Sequence, residues 1–428
     1  MRDRSWLPFL VALGLVAAGL VVVFAFRSSP LRCASSAANG SPLLSVAGMR
    51  EQPDDRLDTL SAAVGRMAAP FGPVRAGVGY DYGQWLHLYG VGDGLLALTK
   101  NNAPMVFLDA SLRARWALRP AAKRTAWDAS ANRFVLLDLA KDRATRVGSY
   151  ALSSGEERWC VEVSARHRDG QPVATTFLDN GDVLVALPSG KNIEVTSLRG
   201  GDGQARWTHT FTGVGRGDFL GALDDDTVVL GGVEEYRLAQ PAPSSGARVL
   251  TAFGATDGKP RWTYADQPGS RSHVAGLVDG RVILVTASAG GSSLSALSDG
   301  KPVWTIHPRD SAVESTVRGS VVLMRSKAGL DAYDVASGRA LWHRVVPTSS
   351  TYFPYGFSLG QMPSLDEAHV LMPTTSALRV LDVRDGTDVA FPLPTDGIRT
   401  TYWPYQLAVT DKLIGVVTNT GGVVTTRE

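Results

Sequence analysis

The chain has 428 residues, with 43 basic and 41 acidic side chains and a formal net charge of +2. Charge so evenly matched, without long like-charge runs, excludes the basic footprint of a nucleic-acid-binding protein. Only two cysteines occur, Cys33 and Cys160, too few for a disulfide framework or a cysteine-based zinc cluster. With Cys160 read inside a core strand, the two are expected as separate thiols, a single bridge between them being the lesser alternative.

Residues 1–5 read as a short N-terminal cytoplasmic tail and residues 6–26 as a single transmembrane helix. Leu7 to Phe26 carries no charge, and at 1.5 Å per residue it would reach about 30 Å, the thickness of a bilayer's hydrocarbon layer. Pro8 falls in the first turn, where its missing N–H costs little, and Trp6 stands at the interface. A cleaved signal peptide is the competing reading, with Ala34 to Ala38 as its small-residue site; the length of the apolar run favours an uncleaved anchor. Arg32 precedes Cys33, where a lipoprotein signal would place a small residue. Arg2 and Arg4 face Arg27 and Arg32 across the span, so the positive-inside count barely orients it, and the expectation is an extracytoplasmic C-terminal part.

Residues 27–56, rich in Ser, Ala, Gly and Pro with no period, predict a flexible linker. A folded domain is expected over 57–428. It begins with an amphipathic stretch, Leu57, Leu60, Val64 and Met67 at helical spacing, that predicts a short helix on the rim.

From there a motif recurs. Asp331 to Trp342, DAYDVASGRALW, reads as a strand, a tight turn on Ser337-Gly338 and a second strand. Cruder copies end at Trp116, Trp159, Trp207, Trp262 and Trp304, with Phe391 in the tryptophan's place in a last one. A spacing of roughly 40 to 55 residues is that of a four-stranded propeller blade. The first blade opens at Gln84 to Tyr89, the second near Thr125. In the third, Asn180-Gly181 predicts a two-residue hairpin. The acidic triplet Asp224 to Asp226 in the fourth is a turn, because the ligand spacing of a calcium loop is missing.

After Phe391 only three strands remain: Tyr405 to Val409, Lys412 to Thr418 and Gly422 to Thr426. An open sheet edge calls for a fourth. Pro73 to Tyr80, PVRAGVGY, is the donor, so the fold class expected is an all-β, eight-bladed β-propeller closed by an N-terminal strand. Seven blades is the alternative. The aromatics Trp116, Trp159, Trp207, Trp262, Trp304, Trp342 and Phe391 are expected to be structural, filling the gap between neighbouring blades.

Asp334 to Gly338 with Trp342, Asp257-Gly258-Lys259 with Trp262, and Asp299-Gly300-Lys301 with Trp304 resemble the repeat of pyrroloquinoline-quinone-type propellers. That family includes quinoprotein alcohol dehydrogenases, the propeller lipoprotein of the outer-membrane barrel-assembly machinery, and membrane-tethered sensor domains. The resemblance, with the Ala, Arg and Gly bias, implies a bacterial protein. Its enzymes imply an adjacent cysteine pair under the cofactor, calcium ligands and a catalytic aspartate. No such cysteine pair occurs here, and no cofactor is expected. His87, His167, His209, His273, His307, His343 and His369 lie far apart, without the close pairing of a metal site. No nucleophile-elbow or phosphate-loop motif is present, so no catalytic residues and no metal are assigned.

Aromatic residues gather instead in the segments leading into certain blades. These are Tyr352, Phe353 and Tyr355 before the seventh; Tyr402, Trp403 and Tyr405 before the eighth; Tyr80, Tyr82 and Trp85 before the first; and Trp127 in the second. In a closed ring these blades are neighbours, so the aromatics are expected to form an arc on one face. Prolines before Tyr355 and Tyr405 stiffen it. Such surfaces suit protein or glycan recognition. The expectation is a non-catalytic, membrane-anchored binding or scaffold module. The alternatives are a channel-mouth enzyme and a sensor acting through a partner protein.

Overall fold

The computed structural model describes residues 34–36, 74–79, 86–99, 105–110, 114–120, 124–128, 132–138, 144–166, 174–189, 192–212, 219–231, 249–265, 269–310, 312–345, 359, 362–374, 377–392, 404–418 and 421–426. All the regular structure among them is β, in eight antiparallel sheets. Sheet 1 holds Leu86–Val91, Gly94–Thr99, Met105–Leu108 and Ala114–Pro120; sheet 2 holds Arg124–Asp128, Arg133–Asp138, Ala144–Ala151 and Glu157–Arg166. Sheet 3 is Ala174–Phe177, Val183–Ser189, Asn192–Leu198 and Ala205–Phe211, and sheet 4 is Phe219–Ala222, Thr227–Gly231, Val249–Gly254 and Pro260–Ala265. Sheet 5 runs Arg271–Val278, Arg281–Ser288, Gly291–Ser298 and Lys301–Ile306, and sheet 6 Ala312–Arg318, Val321–Ser326, Gly329–Asp334 and Ala340–Val345.

The last two sheets depart from this order. Sheet 7 has His369–Pro373, Ala377–Asp382 and Asp388–Pro392, with a single bridge from Ser364 to Val370 where an innermost strand would run. Sheet 8 comprises Pro404–Val409, Leu413–Thr418 and Gly421–Thr426, and its outer strand is Val74–Gly79 from the opposite end of the chain, in antiparallel register with Gly77 opposite Val423. The innermost strands of sheets 8 and 1 lie against each other. A Cβ on Gly90 would sit 2.1 Å from the Val409 carbonyl oxygen, so only glycine permits that approach. The molecule is therefore an all-β propeller whose first and last sheets touch.

Burial grades across each sheet in the way a propeller demands. The middle strands are sandwiched between neighbouring sheets and read as unbroken apolar runs; Thr227–Gly231 and Met105–Leu108 are buried at every position. Innermost strands are half-buried, as at Ala174–Phe177, which lies against the innermost strands of sheets 2 and 4. Outer strands alternate toward solvent, as at Pro260–Ala265. The apolar clusters straddle pairs of sheets; one joins Val135, Val147 and Trp159 of sheet 2 to Val183, Val185 and Leu198 of sheet 3.

Three expectations need correction. Ala34–Ser36, inside the stretch read as a structureless linker, is a strand that pairs with Leu118 to Pro120 and adds a fifth strand to the outer edge of sheet 1. That edge, Ala114–Pro120, had unpaired backbone groups to offer, and backbone pairing does not depend on the apolar pattern from which the linker was inferred. Cys160 is not a thiol: it is disulfide-bonded, and the chain's one other cysteine is Cys33, immediately before that added strand. The hairpin at Asn180-Gly181 is wider than two residues. Leu178 and Asp182 close it, and Gly181 takes φ +87°, the three-residue form with glycine in its last position. The predicted membrane helix (6–26) and rim helix (57–67) lie outside the described residues, and among the described residues no helix is long and apolar enough to cross a membrane.

Candidate binding face

The tryptophans locate the two faces of the ring. Each indole reaches forward to the outer hairpin of the next sheet. The Nε1–H groups of Trp159, Trp207, Trp304 and Trp342 donate to the carbonyls of Gly200, Ala255, Val335 and Val383 at 2.8, 3.1, 3.0 and 2.9 Å, and that of Trp116 to Leu152. The glycine of that hairpin lies against the ring: Gly155 on Trp116, Gly203 on Trp159, Gly258 on Trp207, Gly300 on Trp262, Gly338 on Trp304 and Gly386 on Trp342. All six glycines have φ between +68° and +77°, so each is required twice, by the left-handed turn and by the ring that a Cβ would strike. Tryptophan and glycine of one sequence motif thus serve two different interfaces.

Arginines add a second tie on this face. Arg206 pairs with Asp182, whose carboxylate also accepts from the Gly200 N–H; Arg261 pairs with Asp226 and donates to Thr227 Oγ1. Each joins an outer strand to the innermost hairpin of its own sheet. Arg281 crosses from sheet 5 to the Ala336 carbonyl of sheet 6 at 2.9 Å.

Antiparallel order puts the innermost and the outer hairpin of a sheet on this latch face, and its middle turn, with the segment leading into the innermost strand, on the other. Residues 80–85 lead into Leu86–Val91, and residues 402 and 403 into Pro404–Val409, the two innermost strands that lie side by side. Tyr80, Tyr82, Trp85, Tyr352, Phe353, Tyr355, Tyr402 and Trp403 themselves fall outside the described residues. Tyr405 is the second residue of its strand, at the lead-in end. Trp127 is next to the last residue of Arg124–Asp128 and opposite Phe134, at the hairpin end and so toward the latch face. Phe391 is the fourth residue of Asp388–Pro392.

The chain following the lead-in at 352–355 is gripped from sheet 6. The Leu359 N–H donates to Glu314 Oε2 at 3.1 Å, and Arg318 donates to the Met362 carbonyl at 2.8 Å. Glu314 and Arg318 stand four residues apart on one innermost strand. Burial pushes the Glu314 carboxyl up from its ordinary range, against the pull of Arg325 and the Leu359 amide. No sequence period marks this pair; a Glu and an Arg on an innermost strand read equally well as channel lining. Farther out, burial would raise the Asp388 carboxyl, but hydrogen bonds from Arg344 and Arg379 outweigh it and hold it below the usual range. Arg344 comes from sheet 6, so Asp388 ties sheets 6 and 7 together.

The family described as outer membrane protein assembly factor BamB matches residues 140–290 and 245–390, together more than half of the 428 residues. The chain belongs to this family of PQQ-like β-propellers. Among solved structures, dihydro-haem d1 dehydrogenase NirN is 13% identical with a TM-score of 0.51, over 78% of this chain and 68% of that one. BamB from Moraxella catarrhalis is 15% identical with a TM-score of 0.49, over 79% of this chain and 96% of that one. The quinohemoprotein alcohol dehydrogenase ADHIIG from Pseudomonas putida HK5 is 12% identical with a TM-score of 0.49, over 79% and 73%. No curated protein matches the chain. At 13% identity the NirN structure shows a shared fold with this PQQ-like propeller and nothing finer.

A quinone cofactor does not fit the residues of this PQQ-like propeller in the way its enzymes hold one. The adjacent cysteine pair is absent from the sequence, and Cys160 is committed to a disulfide.

Proposed function

We propose that this protein is a membrane-anchored, extracytoplasmic binding or scaffold module. It presents the lead-in segments of sheets 7, 8 and 1 to a protein or glycan partner. One observation carries the reading: the innermost strands of sheets 8 and 1, which follow the aromatic stretches ending at Trp403 and Trp85 in the sequence, are neighbours. Membership of a family described by an assembly factor supports a partner of protein type. The disulfide at Cys160 supports an oxidising compartment, and the uncharged run Leu7 to Phe26 supports an anchor that leaves residues 1–5 in the cytoplasm. In this reading the eight sheets are eight blades of one ring, and Trp127, on the latch face, is not part of the surface.

The test is proximity labelling from the propeller in intact cells, with the variant Tyr402→Ala/Trp403→Ala and a C-terminal topology reporter. Loss of one labelled partner with an unchanged melting temperature supports the surface. Unchanged labelling together with a lowered melting temperature would show that these rings only pack over the seam. A reporter active in the cytoplasm would remove the proposed orientation.

A further inference from the structure

Asn180 and Gly181 stand at the tip of the innermost hairpin of sheet 3, on the latch face and beside sheet 2. An asparagine followed by glycine is chemically prone to cyclise. With no Cβ on the second residue, its main-chain nitrogen can reach the side-chain carbonyl carbon of the asparagine and displace ammonia. Asn39-Gly40 is the chain's other such pair and lies outside the described residues.

In the closed hairpin both reacting groups are engaged elsewhere. The Gly181 N–H, whose nitrogen would attack, donates to the Leu178 carbonyl at 2.7 Å. The Asn180 amide, which would be attacked, accepts at Oδ1 from the Asp182 N–H at 2.8 Å and donates from Nδ2 to Asp182 Oδ2 at 3.3 Å. Only its oxygen can accept from an N–H and only its nitrogen can donate to a carboxylate, so these partners fix which way the amide points. Asp182 is itself anchored: its side chain is 3% exposed, pairs with Arg206 of the outer strand and accepts from the Gly200 N–H at 3.1 Å. The same hairpin carries a tie to sheet 2, because the buried Arg133 donates to the Gly181 carbonyl and lies over the Phe177 ring.

We propose that Asn180 is a self-modification site, kept shut by the Asp182–Arg206 pair, that records opening of this hairpin irreversibly. Once the hairpin opens, the Gly181 nitrogen bonds to Asn180 Cγ, the bond from Cγ to the side-chain nitrogen breaks, and that nitrogen leaves as ammonia with the proton Gly181 gave up. Water then adds to either carbonyl carbon of the succinimide and opens the ring, leaving aspartate or isoaspartate at position 180. Both products carry a carboxylate in place of the amide that donated to Asp182, and isoaspartate also lengthens the main chain by one carbon. Repulsion between the two carboxylates opposes re-formation of the hairpin, and with it the tie from Arg133.

The experiment is peptide mapping by mass on the full-length protein incubated at mildly alkaline pH, reading the one-dalton gain at position 180 and separating the two products. Native wild type is compared with wild type in urea, with Arg206→Ala, and with Arg261→Ala, which removes the corresponding pair with Asp226 in sheet 4. Conversion should be about tenfold or more slower in the native protein than in urea. Arg206→Ala should speed native conversion about fivefold or more, while Arg261→Ala should stay within about twofold of the wild type. The converted protein, separated by its added negative charge, should exchange amide hydrogens faster in Ala174–Phe177 and Val183–Ser189 than the unconverted protein. Equal rates in the native and urea-unfolded chains would mean that the hairpin guards nothing. Equal effects of the two arginine variants would assign the change to general loosening, and unaltered exchange in the converted protein would mean that the hairpin closes regardless. Any one of these three results overturns the proposal.

Discussion

Trp304 of sheet 5 lies with its six-membered ring against Gly338 of sheet 6, where an added Cβ would come within 2.8 Å of it, while its indole N–H donates to the Val335 carbonyl at 3.0 Å. One side chain thus satisfies a backbone acceptor in the neighbouring sheet and covers a turn whose geometry only glycine holds without strain. Repeated between sheets 1 and 7, this relationship makes each sheet's stability depend on the next.

Trp304→Ala should destabilise the protein by about 3 to 5 kcal/mol, combining a large cavity with the loss of the shorter of two hydrogen bonds to the Val335 carbonyl, which keeps the one from Arg281 at 3.4 Å. Trp304→Phe should cost less, because it keeps most of the apolar contact. Gly338→Ala should cost about 2 kcal/mol or more, through its left-handed φ of +71° and the clash with the ring. Denaturant unfolding of the two single variants and the pair checks this. Since both remove one contact, their effects should fall short of additive by about 1 kcal/mol or more.

Arg206→Ala should weaken sheet 3 by about 2 kcal/mol, because it removes the cationic partner of the Asp182 carboxylate, whose side chain is only 3% exposed, and leaves it the neutral donors Gly200 N–H and Asn180 Nδ2. Arg206→Ala/Asp182→Asn should recover part of that loss. Chemical denaturation of the three proteins decides it, and a double variant no better than Arg206→Ala would show that the pair does not act as a unit.

Asp388 sets a pH dependence whose sign follows from its lowered folded value. Its contribution is fully present above the unfolded carboxylate value, near pH 4, and is lost as pH falls through the folded value. The wild type should therefore lose stability toward acid faster than Asp388→Asn. The variant itself should cost about 2 kcal/mol at neutral pH by leaving Arg344 and Arg379 without their carboxylate. Thermal melts from pH 7 down to about pH 3 test both parts.

The repeat was legible because its tryptophans and turn glycines face strong, local demands: a ring needs a flat neighbour, and a positive φ needs a residue without a Cβ. The donor strand Pro73 to Tyr80 was legible for a different reason, since three strands without a fourth leave backbone groups unpaired. What could not be read was whatever depends on backbone pairing between distant, pattern-free segments. Ala34–Ser36 has no alternation to announce a strand, and Cys160 gives no sign of its bond to a residue in a Ser- and Ala-rich stretch. Trp127 was misplaced for a related reason: as the fourth residue of a five-residue strand, it lies one strand length from the lead-in, which sequence proximity does not resolve. Glu314 and Arg318 went unnoticed because the groups through which they hold the chain entering sheet 7 are main-chain groups of residues more than 40 positions away.

The seam between sheets 8 and 1 offers the sharpest test of how the ring is closed. Gly90 and Val409 are in backbone contact there, and a Cβ at position 90 would overlap the Val409 oxygen at 2.1 Å. No flexible side chain can move aside, because the obstacle is main chain. Gly90→Ala should therefore push the two innermost strands apart and destabilise the protein by about 2 kcal/mol or more. Gly201→Ala, where a Cβ meets nothing within 4 Å, should stay within about 0.5 kcal/mol of the wild type. Limited proteolysis alongside denaturant unfolding separates seam opening from general damage. The Gly90 variant should be cut first in or beside sheet 8, between residues 393 and 428, while the latched sheets 2 to 6 resist as in the wild type. Early cleavage within sheets 3 to 5 would mean that the ring loosens as a whole, and that its closure does not depend on this contact.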